Sequence, residues 1–286
     1  MFRRPRLYPS GVAIVLSLLS ALAYGVSDFL GGIFAKRAPA WQIAVVGQSS
    51  SGVLSLAAAI AIGGSPTGHD LVFGALAGLG GGFGAAFLYR GLATARMSVV
   101  APLSGVGTAL IPVAVGLVTG DRPSAMALTG VVFAFPAIAL ISRVTDDSPA
   151  HRSGVVDGVL AGIGFGLLFT FLGQVGDDGG LYPLALSQAT SILSVIITAV
   201  VLRESWVPRD RGAWKAAWMG PLGATAQGAF LYATQHGLLS VVSVISSLYP
   251  ASTVLLASVL LRERIQRWQA VGLALAAVAV SLVALG

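Results

Sequence analysis

Long apolar blocks alternate along this chain with short clusters of proline, glycine and charge. A helix that rises about 1.5 Å per residue needs about 20 mostly apolar residues to cross about 30 Å of hydrocarbon. Ten blocks fit that template: residues 11–35, 41–62, 71–94, 98–119, 124–143, 154–175, 181–202, 214–236, 239–261 and 266–285. The breaks read "KRAPA", "GGSPTGHD", "TGDRPS", "RVTDDSPAHRSG", "GDDGG", "RESWVPRDRGA" and "LRERIQR", all of them breaker signals. Only "RGLATARM" separates the third block from the fourth. No break is long enough for a soluble catalytic domain. The pattern predicts an all-α integral membrane protein with ten transmembrane helices.

Composition sharpens that picture. Of 286 residues, 56% are hydrophobic and 10% charged, with mean hydropathy +0.86. A soluble domain carries about 25% charged residues, so lipid is the solvent for most of this surface. Cysteine is absent, which excludes disulfides and cysteine-ligated metal. The net charge of +6 comes from loop arginines, and no basic stripe offers nucleic acid a surface. The start, "MFRRPR" with an apolar run and "ALA", resembles a secretory signal. The apolar run continues past Ala23 to Phe34, so a retained first span is expected. The glycine-dense run from Phe73 to Phe87 reads as close helix packing, since no strand or Gly-Lys-Ser/Thr marks a phosphate loop.

The chain repeats itself. Ser98-Val99-Val100 falls on Ser240-Val241-Val242 at a constant offset, which also carries Ser104 onto Ser246, Asp121-Arg122 onto Glu263-Arg264 and Gly130 onto Gly272. Phe29-Leu30-Gly31 matches Phe171-Leu172-Gly173, Gln48 corresponds to Gln188, and Phe87-Leu88-Tyr89 matches Phe230-Leu231-Tyr232 with one residue of slippage. The match is clear over the last three spans of each half and weaker over the first two. Residues 1–148 and 149–286 are thus expected to be two five-helix repeats of one membrane unit. After five crossings the second copy starts from the opposite side, so the repeats are inverted, an arrangement that places similar gates on both sides of a central site.

"SVVAPL", the "SLYP" before "VLLASVLLRERI", and "GLALAAVAVSLVAL" resemble the EamA-type members of the drug/metabolite transporter superfamily. So does an acidic residue between the fourth and fifth helix of each half followed by a glycine in the fifth: Asp121 with Gly130, and Glu263 with Gly272. Asp121 stands where the family more often has glutamate. The resemblance implies ten helices, two inverted halves and a central cavity, commonly exporting amino acids, metabolites or drugs.

Orientation is pulled two ways. Four of the 17 basic residues, Arg3, Arg4, Arg6 and Arg122, lie in the N-terminal tail and fourth loop, and the other 13 lie in odd-numbered loops. Counted so, the odd loops are cytoplasmic and both termini outside. The family resemblance and the N-terminal arginine cluster favour both termini inside.

One carboxylate sits within an apolar block: Asp28 in "SALAYGVSDFLGG". A carboxylate near mid-membrane costs roughly 2.5–3.5 kcal/mol on insertion scales, so it should face a cavity or a partner. Tyr24, Ala21 and Ser17 share its helix face. Three roles are open: a satisfied residue, bonded to a neighbouring helix or paired with Arg90; a proton site, since a carboxyl removed from water can cycle its proton near neutral pH; or a counter-ion for a substrate amine. The last has an analogue in the first-helix glutamate of the small multidrug resistance family, which the superfamily resemblance brings in.

Further lining residues are expected in "GATAQGAFLYATQH" and "SVVSVISSLYPASTV". The substrate-binding set comprises Tyr24, Asp28, Tyr89, Ser104, Tyr232, Gln235, Ser243, Ser247 and Tyr249, with Asp28 also the proton-coupling group. Pro102, Pro112 and Pro250 permit kinks. Gln48 and Gln188 read as interhelical glue, and Trp206, Trp214 and Trp218 as interface anchors. His69, His151 and His236 are scattered, and no metal, protease or Walker constellation occurs. No catalytic residue, cofactor or metal is expected, and the chain is not read as an enzyme. The expected function is secondary active export of a small organic solute by alternating access, coupled to protons or to exchange. A membrane scaffold or intramembrane enzyme that reuses the fold is the alternative. The expected setting is a plasma or bacterial inner membrane, as a monomer or weak dimer.

Overall fold

The computed structural model describes residues 11–95, 97–141, 149–260 and 266–285. Eleven α-helices follow in order: α1 (Gly11–Ala35), α2 (Ala40–Ile62), α3 (Gly68–Thr94), α4 (Met97–Thr119), α5 (Ala125–Ile141), α6 (Pro149–Leu172), α7 (Tyr182–Val201), α8 (Met219–His236), α9 (Leu239–Ser246), α10 (Tyr249–Leu260) and α11 (Arg267–Leu285). Asp177–Gly179 and Ala213–Trp218 form 3-10 turns, and there is no strand among the described residues. Residues 142–148, between the expected halves, and residues 261–265, which include Glu263, lie outside the described residues.

Among the described residues, six helical segments are long and apolar enough to cross a membrane: Gly11–Ala35, Ala40–Ile62, Gly68–Thr94, Gly154–Leu172, Tyr182–Val201 and Leu239–Leu260. Leu103–Thr119, Ala125–Leu140 and Ala270–Ala279 are shorter apolar helices. Large apolar side chains stay exposed along the outer faces, among them Val15 and Leu22 on α1, Val53 and Ile60 on α2, and Val259 on α10. Water would penalise such a surface, whereas hydrocarbon does not.

The eighth and ninth predicted spans are not single α-helices. The eighth does not begin as an α-helix at residue 214. Its first turns are the 3-10 segment, with Trp214 and Trp218 largely exposed, and α8 starts at Met219. The ninth is broken at Ser247–Leu248 into α9 and α10. The cause is local: Pro250 has no N–H to give the carbonyl four residues before it, and the chain bridges the gap with tighter bonds from Leu248 N to Ile245 O and Ala251 N to Leu248 O. Every residue from Leu239 to Pro250 is nonetheless buried.

Helix directions can be read from the contacts. α3 runs antiparallel to α6, with Gly84 facing Gly164 and Gly91 facing Asp157, and parallel to α7, with Gly74 facing Pro183 and Gly82 facing Ser191. A Cβ on Gly164 would sit 2.6 Å from the Gly84 Cα, so only glycine lets these backbones approach so closely. α1 runs antiparallel to α8, with Gly31 facing Met219 and Gly237 facing Ala13, and parallel to α10, with Gly25 facing Thr253. α2 and α7 are antiparallel: Gln48 Nε2 donates to Ser191 Oγ at 2.7 Å, and Gln188 Nε2 to Ser51 Oγ. α5 packs along α11.

Loops meet in two groups. On one face, here the even face, Ser65 N donates to the carbonyl of Asp178 and Gly176 N to Asp70 Oδ1 at 2.7 Å, joining the α2–α3 and α6–α7 loops. On that face too, Ser240 N donates to Asp121 Oδ2 at 2.8 Å, joining the α4–α5 loop to the start of α9. On the odd face, Gln42 Nε2 donates to Ser205 Oγ and Gln42 Oε1 accepts from Asp210 N, joining the α1–α2 and α7–α8 connections.

Candidate functional site

α1 is the source of the central polar groups. Ser17, Ser20, Tyr24 and Asp28 recur every three or four residues and so line one face. That face turns inward. Ser17 and Ser20 are fully buried and Asp28 is 4% exposed. Tyr24, Asp28, Thr108, Phe165, Phe169 and Tyr249 surround a cavity of about 10 Å³, about the room one water needs. That is far below the roughly 300 Å³ of a small-molecule pocket.

Aromatic rings wall this space. The Tyr24 ring lies 5.9 Å from Phe169 and 6.1 Å from Tyr249, and Phe169 stacks on Phe230 at 4.0 Å. The Tyr249 hydroxyl bonds Ser104 Oγ, which also donates to the Ala101 carbonyl at 2.7 Å. Thr108 Oγ1 donates to the Ser104 carbonyl at 2.7 Å. Tyr89 is buried, its ring against Gly31 and its hydroxyl toward Ser27 beside Asp28. Tyr249 is the first residue of α10, directly after the break, and its ring lines the cavity.

Among the described residues, no hydrogen bond or ion pair reaches the Asp28 carboxylate. Pairing with Arg90, one of the expected roles, does not occur. Arg90 Nε instead donates to Asp157 Oδ1 at 3.0 Å on α6, and its guanidinium lies 4.5 Å from the Phe87 ring centroid. Asp157 is 1% exposed and claims the arginine because α3 and α6 cross there, where Gly91 meets the Asp157 Cβ.

Of the expected site residues, the structure brings Tyr24, Asp28 and Tyr249 together around the cavity, with Ser104 and Tyr89 behind them. Ser247 Oγ folds back on the Val244 carbonyl at 2.9 Å, and Ser243 Oγ is buried without a partner. Tyr232 and Gln235 lie apart: Tyr232 packs with Ala59, Val175 and Leu184, and Gln235 Nε2 donates to the Gly176 carbonyl at 3.2 Å. Thr108, Phe165 and Phe169 line the cavity but were not in the expected set. Thr108 lies four residues beyond Ser104, one helical turn on the same face, and that spacing was a usable signal. The phenylalanines carried none, because rings also face lipid.

Asp121, the acidic residue of the repeated motif, sits at the even face and caps the first turn of α9 through its bond from Ser240 N. Among the described residues, no group of three or more metal-ligating side chains comes together.

Residues 152–285 match the EamA-like transporter family, in agreement with the resemblance seen in the sequence. No curated protein matches the chain. A solved crystal structure is similar over 94% of this chain and 95% of that one, with a TM-score of 0.69 at 16% identity. At that identity the likeness speaks for the fold alone. Apolar helices and the family match make this an all-α, multi-pass membrane protein with a transporter sequence in its second half.

Proposed function

We propose that the protein is a secondary active transporter of ten membrane crossings, built from inverted five-helix halves at residues 1–148 and 149–286, that exports a small organic solute by alternating access. The observation that carries this reading is Asp28: a carboxylate buried at the bundle centre, free of protein partners among the described residues and facing a cavity walled by Tyr24, Tyr249, Phe165 and Phe169. A structural carboxylate in lipid would be bonded. One left free is available to a proton or a cationic group, and aromatic faces favour the latter. With Arg90 engaged by Asp157, an anionic solute has no free counter-charge there among the described residues.

The reciprocal Gln48 and Gln188 bonds support inversion, because parallel repeats would set α2 and α7 side by side in the same direction. α9 and α10, a broken span meeting at the cavity, provide an element able to move. Tyr89, Ser104, Ser243 and Ser247 belong to the lining of the opened state, and Tyr232 and Gln235 to its even-face approach.

The test is flux in proteoliposomes across amino acids, nucleosides, sugars and organic amines. Wild-type protein moves at least one of them with a pH-dependent rate, and folded Asp28→Asn protein does not. No flux of any solute, or pH-responsive flux unchanged in Asp28→Asn, overturns the reading.

A further inference from the structure

Serines in membrane helices usually satisfy themselves by donating to a carbonyl of the preceding turn. Several here do: Ser17 to Ala13, Ser104 to Ala101 and Ser247 to Val244. Four hydroxyls on one line do not. Among the described residues, Ser240 Oγ, Ser243 Oγ, Ser20 Oγ and Tyr24 OH are all buried and without partners. Ser240 begins at the even face beside Asp121, and Asp28 stands at the far end.

The two pairs, one on α9 and one on α1, come together where the helices meet. α9 and α1 are locked side by side where Ser246 Oγ donates to the Ser17 carbonyl at 3.4 Å. Ser240, Ser243 and Ser246 step inward along α9, then Ser17, Ser20, Tyr24 and Asp28 along α1. Three or four residues of helix advance about 4.5–6 Å. One water with two hydrogen bonds of about 2.8 Å spans that step. A buried hydroxyl with no protein partner is where such a water is held.

We propose that these hydroxyls form a water-filled proton path from Asp121 at the even face to Asp28. It rests on the reading of Asp28 as a proton-coupling group. Each hydroxyl or water accepts a proton on one side and releases another on the other. The net change is one proton lost by bulk water and one gained by the Asp28 carboxylate. The titratable groups facing Asp28 are Tyr24 on its own helix, Tyr89 from α3 and Tyr249 from α10. α4 and α6 bring Thr108, Phe165 and Phe169, α2 and α9 have no titratable side chain, and those of α8, Tyr232 and His236, sit at its even-face end.

The path is one-sided. The repeat offset that carries Ser104 onto Ser246 carries Ser20 onto Gly162, Tyr24 onto Gly166, and Ala101 onto Ser243. The corresponding line in the other half therefore lacks hydroxyls at all three places. Instead, Gly162 packs directly on Gly107. The proposed path therefore serves the even face.

The experiment is a pH jump on full-length protein in lipid nanodiscs, followed by time-resolved infrared spectroscopy at the protonated-carboxyl band that Asp28→Asn removes. Ser243→Val and Ser20→Ala are expected to slow the rise of that band by about tenfold, with its titration midpoint unchanged and thermal unfolding intact. Ser243→Thr, which keeps the hydroxyl, restores the rate. Ser55→Ala, which removes an equally orphaned hydroxyl on α2, leaves it unchanged. Wild-type rates in the Ser20 and Ser243 variants, or equal slowing in Ser55→Ala, overturn the path while leaving Asp28 as a proton site. A wild-type protein with no titrating Asp28 band overturns the underlying reading instead.

Discussion

Gln48 and Gln188 make the same bond in opposite directions: each donates its amide to the serine three residues further along the other's helix. The pair places a local two-fold relation between α2 and α7. Ser51 and Ser191 are therefore partners by position as well as by chemistry.

That relation predicts matched energetics. Gln48→Ala and Gln188→Ala should destabilise the folded protein by similar amounts, about 1 kcal/mol each, as interhelical hydrogen bonds do in lipid. Unfolding in mixed detergent micelles measures both, and a large difference would remove the two-fold reading of this contact.

The Arg90–Asp157 pair should respond asymmetrically. Asp157 is 1% exposed and Arg90 about a third exposed. Arg90→Ala strands a buried carboxylate and should cost about 3 kcal/mol, whereas Asp157→Ala leaves a guanidinium that reaches polar surroundings and should cost less. The double variant Arg90→Met/Asp157→Leu should recover much of the loss. Thermal unfolding of the four proteins gives the order.

Glycines divide by what faces them. Gly84→Val places side-chain atoms into Phe165, whose backbone N would lie 3.0 Å from the Cβ, and should abolish folded protein. Gly228→Ala meets only Leu184 Cδ2 at 3.9 Å and should be tolerated. Detergent-resistant yield in size-exclusion profiles distinguishes the two.

At the site, Asp28→Glu should retain part of the solute flux that Asp28→Asn loses, because the charge remains but the longer stem has about 10 Å³ to enter. Tyr249→Phe breaks the bond to Ser104 and should lower flux by about tenfold without loss of fold. Initial rates in proteoliposomes check both.

Basic residues weigh toward cytoplasmic odd loops, 13 against four. A phosphatase fused after Gly286 should then be active and a fluorescent reporter dark. The reverse pattern would place the termini, and the even face, in the cytoplasm.

The helical class was legible because apolar runs of about 20 residues seldom form anything but membrane helices, and Asp28 stood out as a lone charge inside one. Tyr24 followed from its spacing on the same face. The break at Ser247–Leu248 was not legible, since serine and proline also occur in unbroken membrane helices. Asp157 escaped notice because a charge near the start of a span resembles loop composition, and its role depends on the α3–α6 crossing that brings Arg90 to it. Tyr232 read as an equivalent of Tyr89, but its side chain packs with Val175 and Leu184, whereas the Tyr89 ring lies against Gly31 on α1.

The break between α9 and α10 also sets a mechanical scale. α9 is a rod of eight residues, about 12 Å long, hinged at Ser247 and tethered at its outer tip by Asp121. Swinging it by about ten degrees displaces that tip by about 2 Å, enough to rupture the tether, while the Tyr249 ring near the pivot barely shifts. A small torsion beside the cavity would thereby be enough to part a contact at the membrane surface.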